Sequence, residues 1–560
     1  MALCRPSILG LALVVLSACS GGSQSSTAGT GGAAGHLSGT GGQAGTAQSV
    51  SGGAGGSAAG GAGGQSAATG PLVGDFLGLN GFIDDDPAKL AAVGNVREYH
   101  DWSWNEGNGA AGYPGYPNNQ LAFTNVAGAW DFDAYYEALG QAGVTPFPCI
   151  EGSVAFLGSA MPPVTAGADV TMAASYVAHA SFLYQYAARY GAKAVPTVNL
   201  KLASGQAART GLGLLRYYED GNEPDANWVN ADGSPLFSPA AAAAMSSADY
   251  DGDQGRLGGT FGVKNADPAA KLVLAGLAGA GTSSDWLTNV TTYLDGMRTW
   301  ATAHRGGSFP ADVLNVHDYC FGPDPFGTKN PRPGVAPEAC GIAIALAGVV
   351  AYRDQHLPGK EVWLTEFGYD TDPGSRLRAP AIGGADAQAV QGQWLVRTFL
   401  ALMGSGIDRA FLFVSRDNCT GSASACPTND VQFSTSGVLT QKGDEQPKTA
   451  WYYLATVRAR LGAMRYAGMA QSGRTNLDVA RFYDAATNRG AYVLWMATSD
   501  GSVSNGYALA LTGTVSSATT VTLTAGSASG TATPAAVSNH TVSVNVSETP
   551  TIVLVDGAPQ

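Results

Sequence analysis

Between Pro71 and Arg465 the chain alternates short apolar runs with longer stretches of helical spacing. The runs are Phe76-Leu77-Gly78-Leu79-Asn80, Val93-Gly94-Asn95-Val96-Arg97, Thr145-Pro146-Phe147-Pro148, Leu214-Leu215-Arg216-Tyr217-Tyr218, Leu272-Val273-Leu274-Ala275, Val313-Leu314-Asn315-Val316, Val362-Trp363-Leu364 and Ala410-Phe411-Leu412-Phe413-Val414. Near-continuous apolar strands joined by helical crossovers are the signature of a parallel sheet buried on both faces. Eight of them predict an α/β fold, a closed (β/α)8 TIM barrel with helices outside, over an open doubly wound sheet. Asp86-Pro87 reads as an N-cap with proline at the first helical position, and Trp451, Leu454, Val457 and Leu461 keep a helical period.

The texture changes on either side of residues 71–465. From 466 to 560 come short alternating runs such as Tyr507-Ala508-Leu509-Ala510-Leu511, Val521-Thr522-Leu523 and Val542-Ser543-Val544-Asn545-Val546, separated by Gly, Ser and Asn. That pattern predicts a C-terminal antiparallel β-sandwich. Residues 1–18 read as an export signal: Arg5 supplies positive charge and Ile8 to Leu16 is apolar but too short to span a bilayer. Residues 19–70 are almost only Gly, Ala, Ser, Thr and Gln, which cannot bury enough surface to fold. A Gly-rich tether of about 50 residues reaches roughly 40 Å, enough to hold a domain clear of a lipid surface.

Composition narrows the function class. The chain has 560 residues, 45% of them hydrophobic, with 10 Trp, 22 Tyr and 18 Phe, so a large core is available. Its net charge of -13, from 43 acidic and 30 basic side chains, repels a phosphate backbone and disfavours nucleic acid as a partner. Leu16-Ser17-Ala18-Cys19 resembles a bacterial lipobox. The resemblance implies cleavage before Cys19, acylation of its thiol and a membrane-anchored lipoprotein at the cell surface; Ser20 points to the outer membrane.

Export permits disulfides. Cys320 and Cys340 bracket a Pro/Gly-rich loop and Cys419 and Cys426 a small polar one, so each pair is a candidate staple, with connectivity left open by spacing alone. Cys4 departs with the signal and Cys149 is left over, expected to be buried. No paired C-x-x-C or histidine cluster accompanies them, and no metal or other cofactor is expected.

Two strings carry the chemistry: Gly221-Asn222-Glu223-Pro224 after the fourth run and Trp363-Leu364-Thr365-Glu366-Phe367-Gly368 on the seventh. Functional side chains of such a barrel come from the C-terminal ends of its strands. Cutting an acetal between sugars needs one carboxyl to protonate the departing oxygen and another, ionised, to act at the anomeric carbon.

Asn-Glu-Pro after strand four and Thr-Glu-Phe-Gly after strand seven resemble the clan A retaining β-glycoside hydrolases. The resemblance implies that Glu223 is the acid/base, Glu366 the nucleophile and Asn222 a partner of the sugar 2-hydroxyl. His317-x-Tyr319 at the end of strand six is a further family feature, with Tyr319 holding Glu366 and His317 lining the subsite. Arg97 matches the clan's arginine beside the nucleophile, where its charge keeps Glu366 ionised. Burial and the charge of Glu366 are expected to raise Glu223 so that it starts protonated. The sequence departs from the family where strand eight ends Val414-Ser415-Arg416-Asp417-Asn418 instead of in tryptophan, which predicts a polar floor. Cys149 and Glu151 also stand where some members carry histidine.

Trp102, Trp104 and Trp228 are candidate sugar platforms. Glu151, Glu219 and Asp220 lie close enough to strand ends to bind hydroxyls, although solvated or capping roles are the plainer expectation. Asp249, Asp251 and Asp253 alternate like a calcium loop, but Gly255 is out of register and Thr260 stands where the closing glutamate belongs. The reading is a surface-tethered, monomeric, retaining β-glycoside hydrolase acting on a polysaccharide or oligosaccharide. Its rivals are a catalytically inactive glycan-binding lipoprotein and a transglycosylase.

Overall fold

The computed structural model describes residues 69–559 apart from 108–111, 127–128, 159–160, 326–327, 419–431 and 512–514. Residues 1–68, which hold the expected signal and nearly all of the expected tether with Cys19, lie outside the described residues, as do Cys419 and Cys426. Strands β1 (Leu77–Gly81), β2 (Asn95–Asp101), β3 (Thr145–Glu151), β4 (Tyr217–Glu219), β5 (Lys271–Val273), β6 (Val313–His317), β7 (Glu361–Phe367) and β8 (Arg409–Leu412) close into one barrel in chain order. Each pairs in parallel with its neighbour, and β1 meets β8 with Leu77 opposite Ala410. All eight predicted runs supply a strand.

Helices fill the crossovers, from the single turn Pro87–Leu90 to the long Val177–Tyr190, Trp286–Arg305 and Ala387–Ser405, and Thr449–Leu461 follows β8. Their starts are set locally. The side chains of Asp86, Asp131, Ser238, Asp285 and Asp386 each accept a hydrogen bond from a first-turn amide, a contact typically worth about 1 kcal/mol. No helix among the described residues is long and apolar enough to cross a membrane.

Side chains alternate along a strand, so every second residue of a barrel strand points inward. Phe147, Tyr217, Val273, Val313, Trp363 and Phe411 form one buried interior cluster. Ring centroids lie 4.7 Å apart for Tyr217 and Trp363 and 5.1 Å for Phe147 and Phe411. Gly78 makes room for this plug: a Cβ there would sit 2.1 Å from the Phe411 ring. Two residues further along, the same inward positions read Asn80, Cys149, Glu219, Asn315 and Thr365, and Arg97 joins them from β2. The barrel therefore has an aromatic floor under a polar layer.

Strand β7 breaks the alternation. Thr365 points inward to Asn315 and His317, and Phe367 points outward onto Phe399 of the helix Ala387–Ser405. Glu366 between them also reaches the mouth, because the register with β6 shifts at Val316/His317 and that with β8 at Leu364/Phe367. An irregularity of this kind re-aims one side chain without moving the strand.

From Arg465 onward the chain forms two antiparallel sheets. One has six strands in the order β14 (Thr531–Ala535), β13 (Ala518–Thr522), β17 (Thr551–Asp556), β11 (Arg489–Met496), β10 (Leu477–Asp484), β9 (Arg465–Ala470). The other is β12 (Ser504–Ala510), β16 (Thr541–Val546), β15 (Val537–Ser538). Tyr492, Leu494, Val553 and Val555 face Leu509, Val542 and Val544 across the sandwich. The alternate residues Val493, Trp495 and Ile552 belong to the same buried cluster as the barrel helices. Trp495 also donates to Glu338 at 2.9 Å, so the larger sheet is buried on both faces and rests against the barrel.

Candidate active site

Arg97 is the hub of the polar layer. Nε and Nη2 grip the two oxygens of Glu219 at 2.6 and 2.9 Å, and Nη1 donates to Asn80 Oδ1 and Glu366 Oε1, both at 2.9 Å. Nη2 also reaches Asn222 Oδ1 at 2.8 Å and the Cys149 sulfur at 3.1 Å. Arg97 and Glu219 are fully buried. Such a charge is tolerated in a barrel interior only when every donor is matched, and here all are.

Glu366 accepts from Tyr99 at 2.6 Å on Oε1 and from Tyr319 at 2.8 Å on Oε2. Burial alone would raise its carboxyl, yet it lies below the ordinary value, because the charges of His317 and Arg97 and the two phenol hydroxyls favour the carboxylate. Burial and the Glu366 charge push both phenols well up, so they stay donors.

Glu223 follows β4 in a left-handed backbone conformation (φ 44°). Its amide donates to the Gly276 carbonyl at 3.0 Å, which docks the Asn-Glu-Pro segment on the end of β5. The side chain meets His317: Nδ1 lies 3.0 Å from Glu223 Oε1 and 3.6 Å from Glu366 Oε2. One oxygen of Glu223, one ring nitrogen of His317 and one oxygen of Glu366 all lie within 4.8 Å of one another. The two side chains keep 14% and 8% exposure, so both open to the mouth. Burial would lower His317, but the negative charges of Glu366 and Glu223 hold it above its ordinary value. Gly276 is required here, since a Cβ would fall 2.1 Å from His317 Nε2.

The structure thus brings Asn222, Glu223, Arg97, His317, Tyr319 and Glu366 together and corrects several other expectations. Trp102 is no platform: it is fully buried in the turn Trp102–Trp104, donates to Glu106 at 2.6 Å and packs on His179 and Phe182. Trp104 is half-buried against Trp130 and Phe132, and Trp228 is exposed. Glu219 and Asp220 are buried, neither solvated nor capping; Asp220 accepts from the Ala275 amide at 2.8 Å. Glu151 is half-buried at the end of β3 and is pushed up to about 8, first by burial and, against the pull of Arg97, by the charges of Asp101, Glu366 and Glu219. Asp249, Asp251 and Asp253 do not converge, pairing instead with His179, Arg305 and Arg256 respectively.

The cysteines divide. Cys320 and Cys340 are joined by a disulfide, and Cys149 is free and buried beside Arg97. The floor at the end of β8 is not polar. Ser415 and Arg416 turn to Asp85 in a separate cluster, while half-buried Phe413 faces Tyr99 and Phe433. Tyr99 and Phe413 are site residues that sequence reasoning missed. Tyr99 lies two residues beyond Arg97, and the period of two along β2 was the signal that it shares the same face.

No family model and no curated relative matches the chain by sequence. Its fold is similar to that of several solved glycoside hydrolases. A family 39 glycoside hydrolase from Bacteroides cellulosilyticus superposes with a TM-score of 0.55 at 15% identity, covering 87% of this chain and 81% of that one. A glucosidase from Croceicoccus marinus gives 0.52 at 12% identity over 87% and 96%. A family 44 xyloglucanase from Paenibacillus polymyxa gives 0.50 at 14% identity over 87% and 97%. At these identities the likeness establishes a TIM barrel followed by a β-sandwich.

Proposed function

We propose that this chain is a retaining β-glycoside hydrolase with Glu366 as nucleophile and Glu223 as acid/base. The observation that carries the reading is the approach of one oxygen of Glu223 and one of Glu366 to within 4.8 Å across the barrel mouth. Retaining enzymes hold their carboxyl groups about 5–5.5 Å apart, whereas inverting enzymes leave about 6.5–9.5 Å for a water. The glycoside hydrolases among the similar folds, a xyloglucanase included, support the reaction class and a polysaccharide or oligosaccharide substrate.

In the first step Glu366 Oε attacks the anomeric carbon as the glycosidic C–O bond breaks, and the Glu223 proton passes to the leaving oxygen. Arg97, Tyr99 and Tyr319 hold the nucleophile ionised and in one rotamer. In the second step Glu223, now a carboxylate, takes a proton from water, whose oxygen displaces Glu366 and restores the starting site. Asn222 offers Oδ1 to Arg97, which leaves its NH2 group free to donate to the sugar 2-hydroxyl as the transition state develops. Phe413 gives the sugar an apolar face to rest on.

The proposal includes export, acylation at Cys19 and a barrel and sandwich divided near residue 465, each supported by the sequence pattern. Release of reducing sugar from a panel of glucan, mannan, xylan and galactan is the test. At least one is cut by the wild-type chain and none by Glu366→Gln; full activity in that variant overturns the nucleophile assignment.

A further inference from the structure

The imidazole of His317 is fixed from behind by a chain of hydrogen bonds that has no contact with the substrate mouth. Asn315 Nδ2 donates to Glu219 Oε1 at 2.9 Å, which sets the amide with its oxygen toward Thr365. Thr365 Oγ1 donates to that oxygen at 2.7 Å. The hydroxyl has spent its only proton, so toward His317 Nε2, 3.0 Å away, it can only accept. Nε2 must therefore carry a proton, and Nδ1 is the atom left to face Glu223 Oε1.

We infer that Thr365 and Asn315 are positioning residues for the acid/base: they hold the Nε2 proton of His317, which presents Nδ1–H to Glu223 Oε1 and leaves Oε2 alone to face the leaving group. The inference rests on the glycoside hydrolase reading. Charge balance supports it. With His317 doubly protonated, Arg97 and His317 offset Glu219 and Glu366 while Glu223 is protonated. After the first step Glu366 is esterified and Glu223 is anionic, and the same two cations again offset two anions. The summed charge of these five groups is the same in both states, and His317 gives up no proton in either step. The charged groups facing the imidazole are Glu223, Glu366 and, through Glu366, Arg97. Neutral groups also meet it: Gly276 lies against the ring, Thr365 against Nε2, and Trp286 donates to the His317 carbonyl at 3.0 Å.

The test combines two readouts on the full chain. Nitrogen-15 histidine spectra at pH 6, with the His317 signals identified by their loss in His317→Gln, are expected to show protons on both ring nitrogens, and Thr365→Val to lose the Nε2 proton. Kinetically, Thr365→Val is expected to lower kcat/KM about a hundredfold for a saccharide leaving group, the scale of general-acid catalysis. Its rate on a dinitrophenyl glycoside, which departs without a proton, stays within about threefold for the same reason. Thr365→Ser restores both behaviours. Equal rates of Thr365→Val and wild type on both substrates, or a bare Nε2 in the wild type, overturn the inference. Both protons present in a wild-type chain that turns over no glycoside would refute the hydrolase reading while upholding the hydrogen-bond chain.

Discussion

Arg97 and Glu219 form a two-pronged ion pair at 2.6 and 2.9 Å with both side chains fully buried. Its partners fan out to Asn80, Asn222, Asn315 and Glu366, so the pair ties the ends of β1, β6 and β7 to its own strands β2 and β4. Removing one member of a buried pair leaves an uncompensated charge and costs about 3–5 kcal/mol. Glu219→Gln and Arg97→Met are each expected to lose that much in urea unfolding. The double variant Arg97→Met/Glu219→Met should lose less than the sum. Single losses below about 1 kcal/mol would assign the pair no structural weight.

Tyr99 and Tyr319 each donate to Glu366. A hydrogen bond to a charged group is worth about 1.5–3 kcal/mol, so Tyr99→Phe and Tyr319→Phe should each lower kcat/KM roughly ten- to a hundredfold. Both hydroxyls help keep the Glu366 carboxyl low. Their removal lets it rise, and the acid limb of the pH profile should move to higher pH. A pH–rate series on each variant checks the direction.

Glu151 carries a sign that stability measurements can read. Its folded value of about 8 lies above the ordinary carboxyl value of 4.5, so between them the native state binds a proton that the unfolded chain has lost. Stability therefore falls as pH rises through that window. Glu151→Gln removes the titration, and its Tm relative to wild type should increase from pH 5 to pH 9. A constant difference across that range would contradict the assignment.

Gly276 is held to glycine by the His317 ring, 2.1 Å from where a Cβ would stand. Gly276→Ala should displace the imidazole from Glu223 and abolish most activity while the circular dichroism of the barrel persists. Wild-type turnover in that variant would show that the contact is not needed.

The eight strands could be read from the sequence because burial on both faces leaves a continuous apolar run, whatever the distant partner. Their ends could not. The run at Leu214 becomes strand only at Tyr217, and the register shift that aims Glu366 depends on β6 and β8, which no local pattern records. Trp102 and Trp104 are candidate platforms by residue type and place after β2, but Asp101 caps a tight turn that sends Trp102 into the core. Phe413 sits inside the last apolar run, where nothing local separates a ring facing Tyr99 from one packed in the core. Asp249 and Asp251 fall in the last turn of the helix Pro239–Asp251, where successive side chains point about 100° apart and cannot converge on one ion. That Asn222, Glu223 and Glu366 come together was legible because each carboxylate follows or ends an apolar run, and the C-terminal ends of a barrel's strands open on one mouth.

Covalent capture would show which carboxylate attacks the sugar. The wild-type chain would be incubated with 2-deoxy-2-fluoro glycosides of gluco, manno, xylo and galacto configuration that carry a good leaving group, and its peptides mapped by mass spectrometry. One added sugar is expected on the peptide bearing Glu366, reached in a time-dependent loss of activity. A sugar on Glu223 or Glu151 instead, or hydrolysis that proceeds with inversion and no labelled peptide, would contradict it.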